Sequence, residues 1–187
     1  MLKRGFDIAA ALAGLLVLWP LLAAIALAVR LESPGPALHW SRRVGRGNRI
    51  FRMPKFRTMR TDTPDVATHL LTEPERWVTP LGRTLRRTSL DELPQLWSVL
   101  VGDMSLVGPR PALFNQDDLV ALRTKAGIER LRPGVTGWAQ VNGRDELPIP
   151  EKVRLDREYM ERMSIGFDLA IILATARAAL TGRGVSH

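Results

Sequence analysis

The stretch IAAALAGLLVLWPLLAAIALAV, residues 8–29, decides how this chain folds and where it lies. It contains 22 residues without a charge. A helix of that length reaches roughly 33 Å at about 1.5 Å per residue, which is enough to cross the apolar core of a bilayer. A signal peptide would have a shorter apolar core and a small-x-small cleavage site, so this segment is interpreted as part of the folded protein.

Pro20 lies near the middle of this stretch, and basic residues flank both of its ends. Lys3 and Arg4 precede the stretch and Arg30 follows it, whereas a spanning helix usually carries its positive charges on one side. Proline lacks a backbone N–H and clashes with the preceding turn, so it predicts two helical halves, each too short to span. This pattern favours a re-entrant segment that turns at Trp19–Pro20. A kinked spanning helix is the alternative, because membranes tolerate proline.

Positive charge is concentrated just after this segment. The 187 residues carry a net charge of +8, and 23 of the 27 basic residues are arginine. Between Arg30 and Arg60, nine basic residues face one acidic residue, Glu32, so this window holds the whole excess. Such a surface seeks phosphate, lipid headgroups or nucleic acid. The chain has no cysteine, which excludes disulfides and thiolate metal sites.

The rest of the chain predicts a small, mostly helical α/β domain with little regular sheet. Residues 33–62 are rich in turn residues and indicate extended or irregular structure that carries cations. Helical spacing of Leu93, Leu96, Trp97 and Leu100 predicts a helix that Thr88 or Ser89 would cap and Gly102 would end. Further helices are predicted over 118–131, 150–163 and 167–180. The last is apolar but too short to span, so it belongs to the core or lies in the membrane surface.

Asp91 and Glu92 are the pair of carboxylates best suited to form a catalytic or metal-binding site. Oxygen ligands of this kind suit Mg²⁺, which also binds phosphate oxygens. Taken alone, an Asp-Glu dipeptide is more often a helix-capping pair than a site. Its neighbours favour a site: Arg110 lies between two prolines that stiffen its backbone for a phosphate contact. Further cations nearby in the sequence motifs are Lys55, Arg57, Arg86 and Arg144.

Several other kinds of chemistry lack support in the sequence. It contains no Walker-type GxxxxGK[ST] motif and no HExxH motif. With only His39, His69 and His187 available, a histidine-centred mechanism is poorly supported. Carboxylates, arginines and a membrane segment together indicate Mg²⁺-assisted phosphoryl chemistry at a bilayer surface.

Five motifs resemble the bacterial sugar transferases, and more narrowly the minimal monotopic phosphoglycosyl transferases. The motifs are KRGFDI at the start, PGP at 34–36, KFRTM, TSLDELPQLWSVLVGDMSLVGPRP and RPGVTGWAQVNGR. The resemblance covers nearly the whole chain, and the long central motif is highly specific. The family often has serine before the helix-breaking proline, where this chain has Trp19.

The resemblance implies a reaction between a UDP-sugar and a polyprenyl phosphate, usually undecaprenyl phosphate. Asp91 would be the nucleophile, and a covalent phosphosugar–aspartyl intermediate would form as UMP leaves. Mg²⁺ would be the cofactor, held by Asp91 and Glu92, with Glu92 acting as metal ligand or as base. The resemblance also assigns diphosphate binding to Lys55, Arg86, Arg110 and Arg144, and it gives Asp168 a supporting role as a brace for Arg86.

The resemblance also implies a place in the cell. Residues 1–32 would form a re-entrant membrane helix broken at Pro20, and residues 33–187 a catalytic domain with interfacial amphipathic helices. Both would lie on the cytoplasmic face of the bacterial inner membrane and initiate glycoconjugate assembly, without a nucleic-acid partner. The identity of the sugar and the oligomeric state stay open. The alternatives are a membrane-tethered module that binds nucleic acid or anionic lipid, and a membrane phosphohydrolase.

Overall fold

The computed structural model describes residues 2–63, 74–143 and 147–181. The α-helices in these ranges are α1 (Leu2–Glu32), α2 (Pro80–Thr88), α3 (Gln95–Val101), α4 (Asp117–Lys125), α5 (Trp138–Val141), α6 (Ile149–Arg162) and α7 (Ile165–Thr181). The strands are β1 (Leu38–Val44), β2 (Ile50–Phe56), β3 (Ser105–Val107) and β4 (Gly134–Thr136). Short 3-10 helices occur at Arg46–Asn48, Pro74–Arg76, Leu90–Glu92 and Ile128–Arg130.

The strands form one antiparallel hairpin, β1–β2, and one short parallel pair, β3–β4. The prediction of a mostly helical α/β fold with little regular sheet is therefore confirmed for the described residues. In the hairpin, His39 pairs with Lys55. Met53 and Phe56 of β2 enter two separate core clusters, and both of those clusters also contain residues of α1.

Helix α1 continues through Pro20, so the predicted break into two helices is wrong. Trp19 and Pro20 lie within helical turns instead of at a reversal of the chain, and the Trp19 side chain is 63% exposed. Proline removes only one N–H from the hydrogen-bond ladder. The surrounding alanine and leucine residues have high helix propensity, and both halves of the helix pack on the body, so one lost bond does not end the helix.

One stripe of α1 packs against the rest of the protein along most of its length. Its buried side chains recur at helical spacing on a single face: Asp7, Ala11, Ile25 and Val29. Ala11 packs in a cluster with Met53, Val99 and Met104. Ile25 and Val29 pack in a second cluster with Phe56 and Leu85. The opposite face is apolar and open, with more than half of the side chain exposed at Leu16, Val17, Leu27 and Leu31.

Polar contacts hold the N-terminal end of α1 on the body. The Arg4 guanidinium donates to the Val99 and Leu100 carbonyls at 2.6 and 2.9 Å. The Asp7 carboxylate accepts from the Ser105 hydroxyl at 2.8 Å and from a backbone N–H of β3 at 3.2 Å. These contacts join α1 to the end of α3 and to the parallel strand pair.

Arg57 holds the C-terminal end of α1. Its side chain is buried and donates five hydrogen bonds, at 2.8 to 3.3 Å, to Val29, Ser33, Pro34 and Pro36. Four of the five acceptors are backbone carbonyls at the helix end and in the following loop, where a cation is favourable. Arg57 is thus a structural cap, and its grouping with the phosphate-binding cations is wrong.

The connection from α2 to α3 differs from the prediction. Thr88 is the last residue of α2, and Ser89 adopts a left-handed conformation with φ 56°. Asp91 and Glu92 follow in the 3-10 turn Leu90–Glu92, not in the first turn of a capped α-helix. The predicted cap at Thr88 or Ser89 is wrong because the helical stretch that begins at Pro80 continues to Thr88. Gly102, with φ 99°, ends α3 as predicted.

The later helices agree with the sequence patterns except in one place. Helices α6 and α7 occupy the predicted stretches. The helix predicted over 118–131 stops at Lys125, since Gly127 turns the chain with φ 74° and a 3-10 turn follows. Helix α7 has an outward apolar side that includes Leu169 and Leu173.

The Arg57→Lys variant tests the cap on α1. Lysine keeps the charge but cannot reach several acceptors in a plane, so buried carbonyls lose their donors. We expect a loss of about 2–4 kcal/mol in the free energy of unfolding, measured by thermal melting in detergent. The matched control is Arg60→Lys, whose surface pair with Asp62 is more than half exposed. Equal melting temperatures for the two variants would contradict the cap.

Candidate functional site

The 3-10 turn Leu90–Glu92 presents two adjacent carboxylates to different surroundings. The left-handed Ser89 reverses the chain after α2, and its N–H donates to the Arg86 carbonyl at 3.0 Å. Adjacent side chains on a helical turn diverge, so Asp91 and Glu92 differ in their partners. The turn also brings Asp91 into electrostatic range of Arg86, which lies in the last turn of α2.

Glu92 is held by two cations. Its Oε1 accepts from Lys55 Nζ at 2.6 Å and from Arg110 Nη2 at 3.2 Å. Burial on its own would raise the pKa of Glu92, but Arg110 and Lys55 outweigh burial and hold that pKa far below its usual range. Glu92 is therefore an anion at any physiological pH, and its fixed carboxylate positions both cations.

Asp91 is buried, and in the described part of the chain its carboxylate makes no hydrogen bond or ion pair with another residue. Burial raises the pKa of Asp91, and the neighbouring charge of Glu92 adds to this, while Lys55 and Arg86 act in the opposite direction. A carboxylate that is poorly solvated and unpaired, beside two cations, is a reactive anion. Perturbed groups of this kind concentrate at functional sites.

Arg86 is the second cation near Asp91, and Thr58 holds its side chain in place. Its Nε donates to the Thr58 hydroxyl at 2.9 Å, and Thr58 is buried just after β2. Burial lowers the pKa of Arg86, with Asp91 and Glu75 acting against that effect. Arginine starts from a pKa above 12, so the guanidinium stays charged.

A buried ion pair between Arg123 and Asp156, which the sequence did not predict, holds the backbone carbonyl of Arg110. Arg123 Nη1 donates to the Arg110 carbonyl at 2.8 Å, and Arg123 Nε and Nη2 donate to Asp156 Oδ2 at 2.9 and 2.6 Å. Burial raises the pKa of Asp156, and Arg123 opposes the rise. Asp156 lies among many charged residues on α6, so nothing in the sequence distinguishes it from a surface acid.

The structure brings together five of the residues predicted for the site. Together are Lys55, Arg86, Asp91, Glu92 and Arg110. Arg144 lies outside the described residues. The expectation that Asp168 braces Arg86 is wrong, because Asp168 accepts from Lys3 Nζ at 2.5 Å and from the Tyr159 hydroxyl at 2.7 Å. Asp168 thereby ties α7 to the start of α1.

The two carboxylates fit a Mg²⁺ ion that arrives with a phosphate substrate. One oxygen of Glu92 is taken by Lys55 and Arg110, which leaves its other oxygen and the Asp91 carboxylate as protein ligands. Among the described residues, no group of three or more His, Cys, Asp or Glu side chains could hold a metal. Mg²⁺ commonly binds one or two carboxylates and completes its shell with phosphate oxygens and water. The donor set therefore fits a substrate-bridged ion.

Comparison with known sequences is consistent with this arrangement. The model of the bacterial sugar transferase family matches residues 1–182. The chain belongs to this family. The resemblance carried by the motifs around Asp91 and Arg110 is thereby confirmed.

Three relatives show how far the similarity extends. The chain is 42% identical over 97% of its length to the undecaprenyl-phosphate glucose phosphotransferase of Komagataeibacter xylinus, and it covers 36% of that protein. It is 41% identical over 94% of its length to the UDP-glucose:undecaprenyl-phosphate glucose-1-phosphate transferase of Escherichia coli K12, of which it covers 39%. It is 41% identical to the exopolysaccharide production protein PSS of Rhizobium leguminosarum bv. phaseoli, over 98% of both chains. The chain thus spans well under half of the first two relatives.

Asp91→Asn tests the electrostatic cost of the buried carboxylate. Because the pKa of Asp91 is raised in the folded protein, folding favours the protonated form of this carboxyl group. Wild-type stability therefore falls as pH rises from about 3.9, the unfolded pKa, through the folded pKa. We expect the Asn variant to melt higher than the wild type at pH 7 and to lose this advantage below about pH 4. Asp103→Asn, at an exposed site, serves as the control. A lower melting temperature of Asp91→Asn at neutral pH would contradict this account.

Asp156→Asn tests the support behind Arg110. The change leaves the Arg123 charge buried without its partner, and we expect a loss of about 3–5 kcal/mol in the free energy of unfolding. Glu161→Gln breaks an ion pair with Arg157 that is mostly exposed, and thermal melting should not detect that change. If both variants melt alike, Arg123 and Asp156 do not act as a buried pair.

Proposed function

We propose that the protein transfers a sugar-1-phosphate from a UDP-sugar to undecaprenyl or another polyprenyl phosphate and releases UMP. The observation that carries this proposal is Asp91, a buried carboxylate with a raised pKa, beside Lys55 and Arg86. The names of the relatives support the substrate class, because two of them are undecaprenyl-phosphate glucose transferases. The Rhizobium relative is named for exopolysaccharide production, which supports a role at the start of polysaccharide assembly.

In the first step, an Asp91 oxygen attacks the phosphorus that bears the sugar. A new carboxyl O–P bond forms, the bond between that phosphorus and the bridging oxygen of the diphosphate breaks, and UMP leaves with the electron pair. In the second step, a phosphate oxygen of the polyprenyl phosphate attacks the same phosphorus and Asp91 leaves as a carboxylate. Two displacements through a carboxylate divide one difficult transfer into two easier ones.

The cations around Asp91 stabilise the negative charge on the phosphate oxygens during transfer. Lys55 and Arg110 are fixed by Glu92 before substrate binds, so donors aimed at phosphate oxygens need little reorganisation. Arg86 is oriented by Thr58 on the opposite side. The low pKa of Glu92 supports its role as an anchor and metal ligand more than as a base, since a carboxylate held so far below its usual pKa is a weak base.

Mg²⁺ bound with the diphosphate would supply positive charge at the transferring phosphate. Asp91 and the second oxygen of Glu92 would hold it, on the donor set described above. One Asp91 oxygen would then be presented for attack on phosphorus and the other would be available to the metal.

The packing of α1 supports a position on one face of a membrane. The helix is long and apolar enough to cross a bilayer, yet both of its ends are hydrogen-bonded to the same body, through Arg4 and Arg57. A helix that crossed the membrane would place its two ends on opposite sides. The proposal is therefore a monotopic protein on the cytoplasmic face of the inner membrane. Residues 1–32 lie flat on the body of 33–187, and the apolar outer sides of α1 and α7 meet lipid.

Intact-mass measurement tests the proposed reaction. The purified full chain is incubated with Mg²⁺ and a small panel of UDP-sugars, without acceptor. We expect one member of the panel to add the mass of a phosphosugar and to release an equal amount of UMP. Adding undecaprenyl phosphate should then restore the original mass and yield the lipid diphosphate sugar.

The variants make this test specific. Asp91→Asn should form no adduct, while Asp103→Asn should behave like the wild type. Full transfer activity in Asp91→Asn would refute the nucleophile. UMP release without a lipid product, in the presence of acceptor, would instead indicate a phosphohydrolase.

A further inference from the structure

A second cationic cavity lies at the start of α1, away from the Asp91 turn. It has a volume of about 180 Å³ and opens between the N-terminal end of α1, β3 and the start of β4. The charged side chains that line it are Lys3, Arg4, Arg46, Arg130, Arg132 and Asp7. Five positive charges thus face one negative charge.

This cavity shares no residue with the candidate functional site. The carboxylates of the site precede α3, whereas Arg4 and Arg132 of the cavity bind carbonyls at the end of α3: Val99, Leu100 and Gly102. The seven residues of α3 separate the two by roughly 10 Å at about 1.5 Å per residue. A ligand in the cavity would therefore contact the far end of the helix that follows the site.

The negative charges near the cavity already have partners. The Asp7 carboxylate accepts hydrogen bonds from the Ser105 hydroxyl and from the Leu106 N–H. Asp168, just behind, accepts from Lys3 and Tyr159. Glu129, which does not line the cavity, pairs with Arg130 at 3.7 Å. Arg4, Arg46 and Arg132 have no acidic hydrogen-bond or ion-pair partner among the described residues.

The arginines of the cavity repel one another. Burial lowers the pKa of Arg132, and the charges of Arg4 and Arg46 lower it further. In the described part of the chain, the Arg46 side chain is exposed and makes no hydrogen bond or ion pair. Among the described residues, Arg132 donates only through Nε, to the Gly102 carbonyl at 2.9 Å, and neither of its terminal nitrogens makes a hydrogen bond. Arginine donors in this state match a phosphate group.

Apolar side chains lie beside the cavity at the start of α1 and just after the end of α6. Leu2 is 82% exposed beside Lys3, Met163 lines the cavity and is 44% exposed, and Ile165 begins α7 nearby. The arginines of the cavity and the exposed aliphatic side chains beside it suit a ligand with an anionic headgroup and an apolar tail. Inorganic phosphate would satisfy the arginines but leave these aliphatic side chains exposed to water.

We infer that this cavity binds the phosphate of an anionic phospholipid from the surrounding membrane. The lipid phosphate would lie among Arg46, Arg132 and Lys3, with its acyl chains over the exposed side chains of Leu2 and Met163. It would neutralise the arginine group and fasten the first turn of α1 to the end of α3. The site holds a resident lipid, not a reactant, and the inference does not depend on the transfer reaction.

Thermal melting of the purified full chain in detergent tests this site without substrate. We expect dioleoyl phosphatidylglycerol to raise the melting temperature in a saturable manner and dioleoyl phosphatidylcholine, with the same chains, to have a much smaller effect. In Arg46→Glu, the phosphatidylglycerol concentration needed for half of the shift should increase about tenfold, as expected for loss of one charge-assisted hydrogen bond. Without lipid, this variant should melt no lower than the wild type, because Arg46 has no partner to lose and its repulsion of Arg132 is removed.

The matched control is Arg49→Glu, which makes the same charge change three positions away at an exposed residue that does not line the cavity. Its response to phosphatidylglycerol should equal that of the wild type. Equal weakening in both variants would show a general charge effect and refute the site. Equal shifts with the two lipids would refute a preference for an anionic headgroup. If inorganic phosphate alone gives the full shift, the cavity is a free-phosphate site and the lipid assignment is wrong.

Discussion

The attachment of both ends of α1 to one body is the constraint on which the rest of the structure depends. Arg4 and Asp7 hold the first turns, and the five hydrogen bonds of Arg57 hold the last. Between them, Ala11, Ile25 and Val29 contribute to two core clusters. The long apolar helix is thereby made one wall of the core, and its opposite face stays exposed.

The end of strand β2 and the residues just after it connect the C-terminal end of α1 to the candidate functional site. Lys55 lies at the end of β2, and Arg57 is the first residue after this strand, two positions further along the chain. Lys55 donates to Glu92 in the site, while Arg57 donates to the carbonyls at the end of α1. Thr58, the next residue, orients Arg86. A short segment thus sets the position of the C-terminal end of α1 and of two cations beside Asp91.

Sequence patterns predicted those parts of the protein that local chemistry determines. Helices α6 and α7 and the end of α3 at Gly102 followed from local spacing, whereas the grouping of Lys55, Arg86 and Arg110 around the Asp-Glu pair followed from the resemblance to the family. The patterns failed where tertiary contacts decide. Pro20 does not break α1, because packing on both sides offsets one missing hydrogen bond. The roles of Arg57, Asp156 and Asp168 each depend on a partner between 21 and 165 positions away in the chain, with Tyr159 as a nearer second partner of Asp168, and no local pattern reveals the distant ones.

The central claim is that the buried carboxylate of Asp91 carries the phosphosugar, while Glu92, held by two cations, does not. Borohydride reduction of the trapped acyl phosphate converts the modified residue into its alcohol, and peptide mapping by tandem mass spectrometry then locates it. This account predicts homoserine at position 91 and unmodified glutamate at position 92. A reduced residue at position 92, or at any other position, would contradict it.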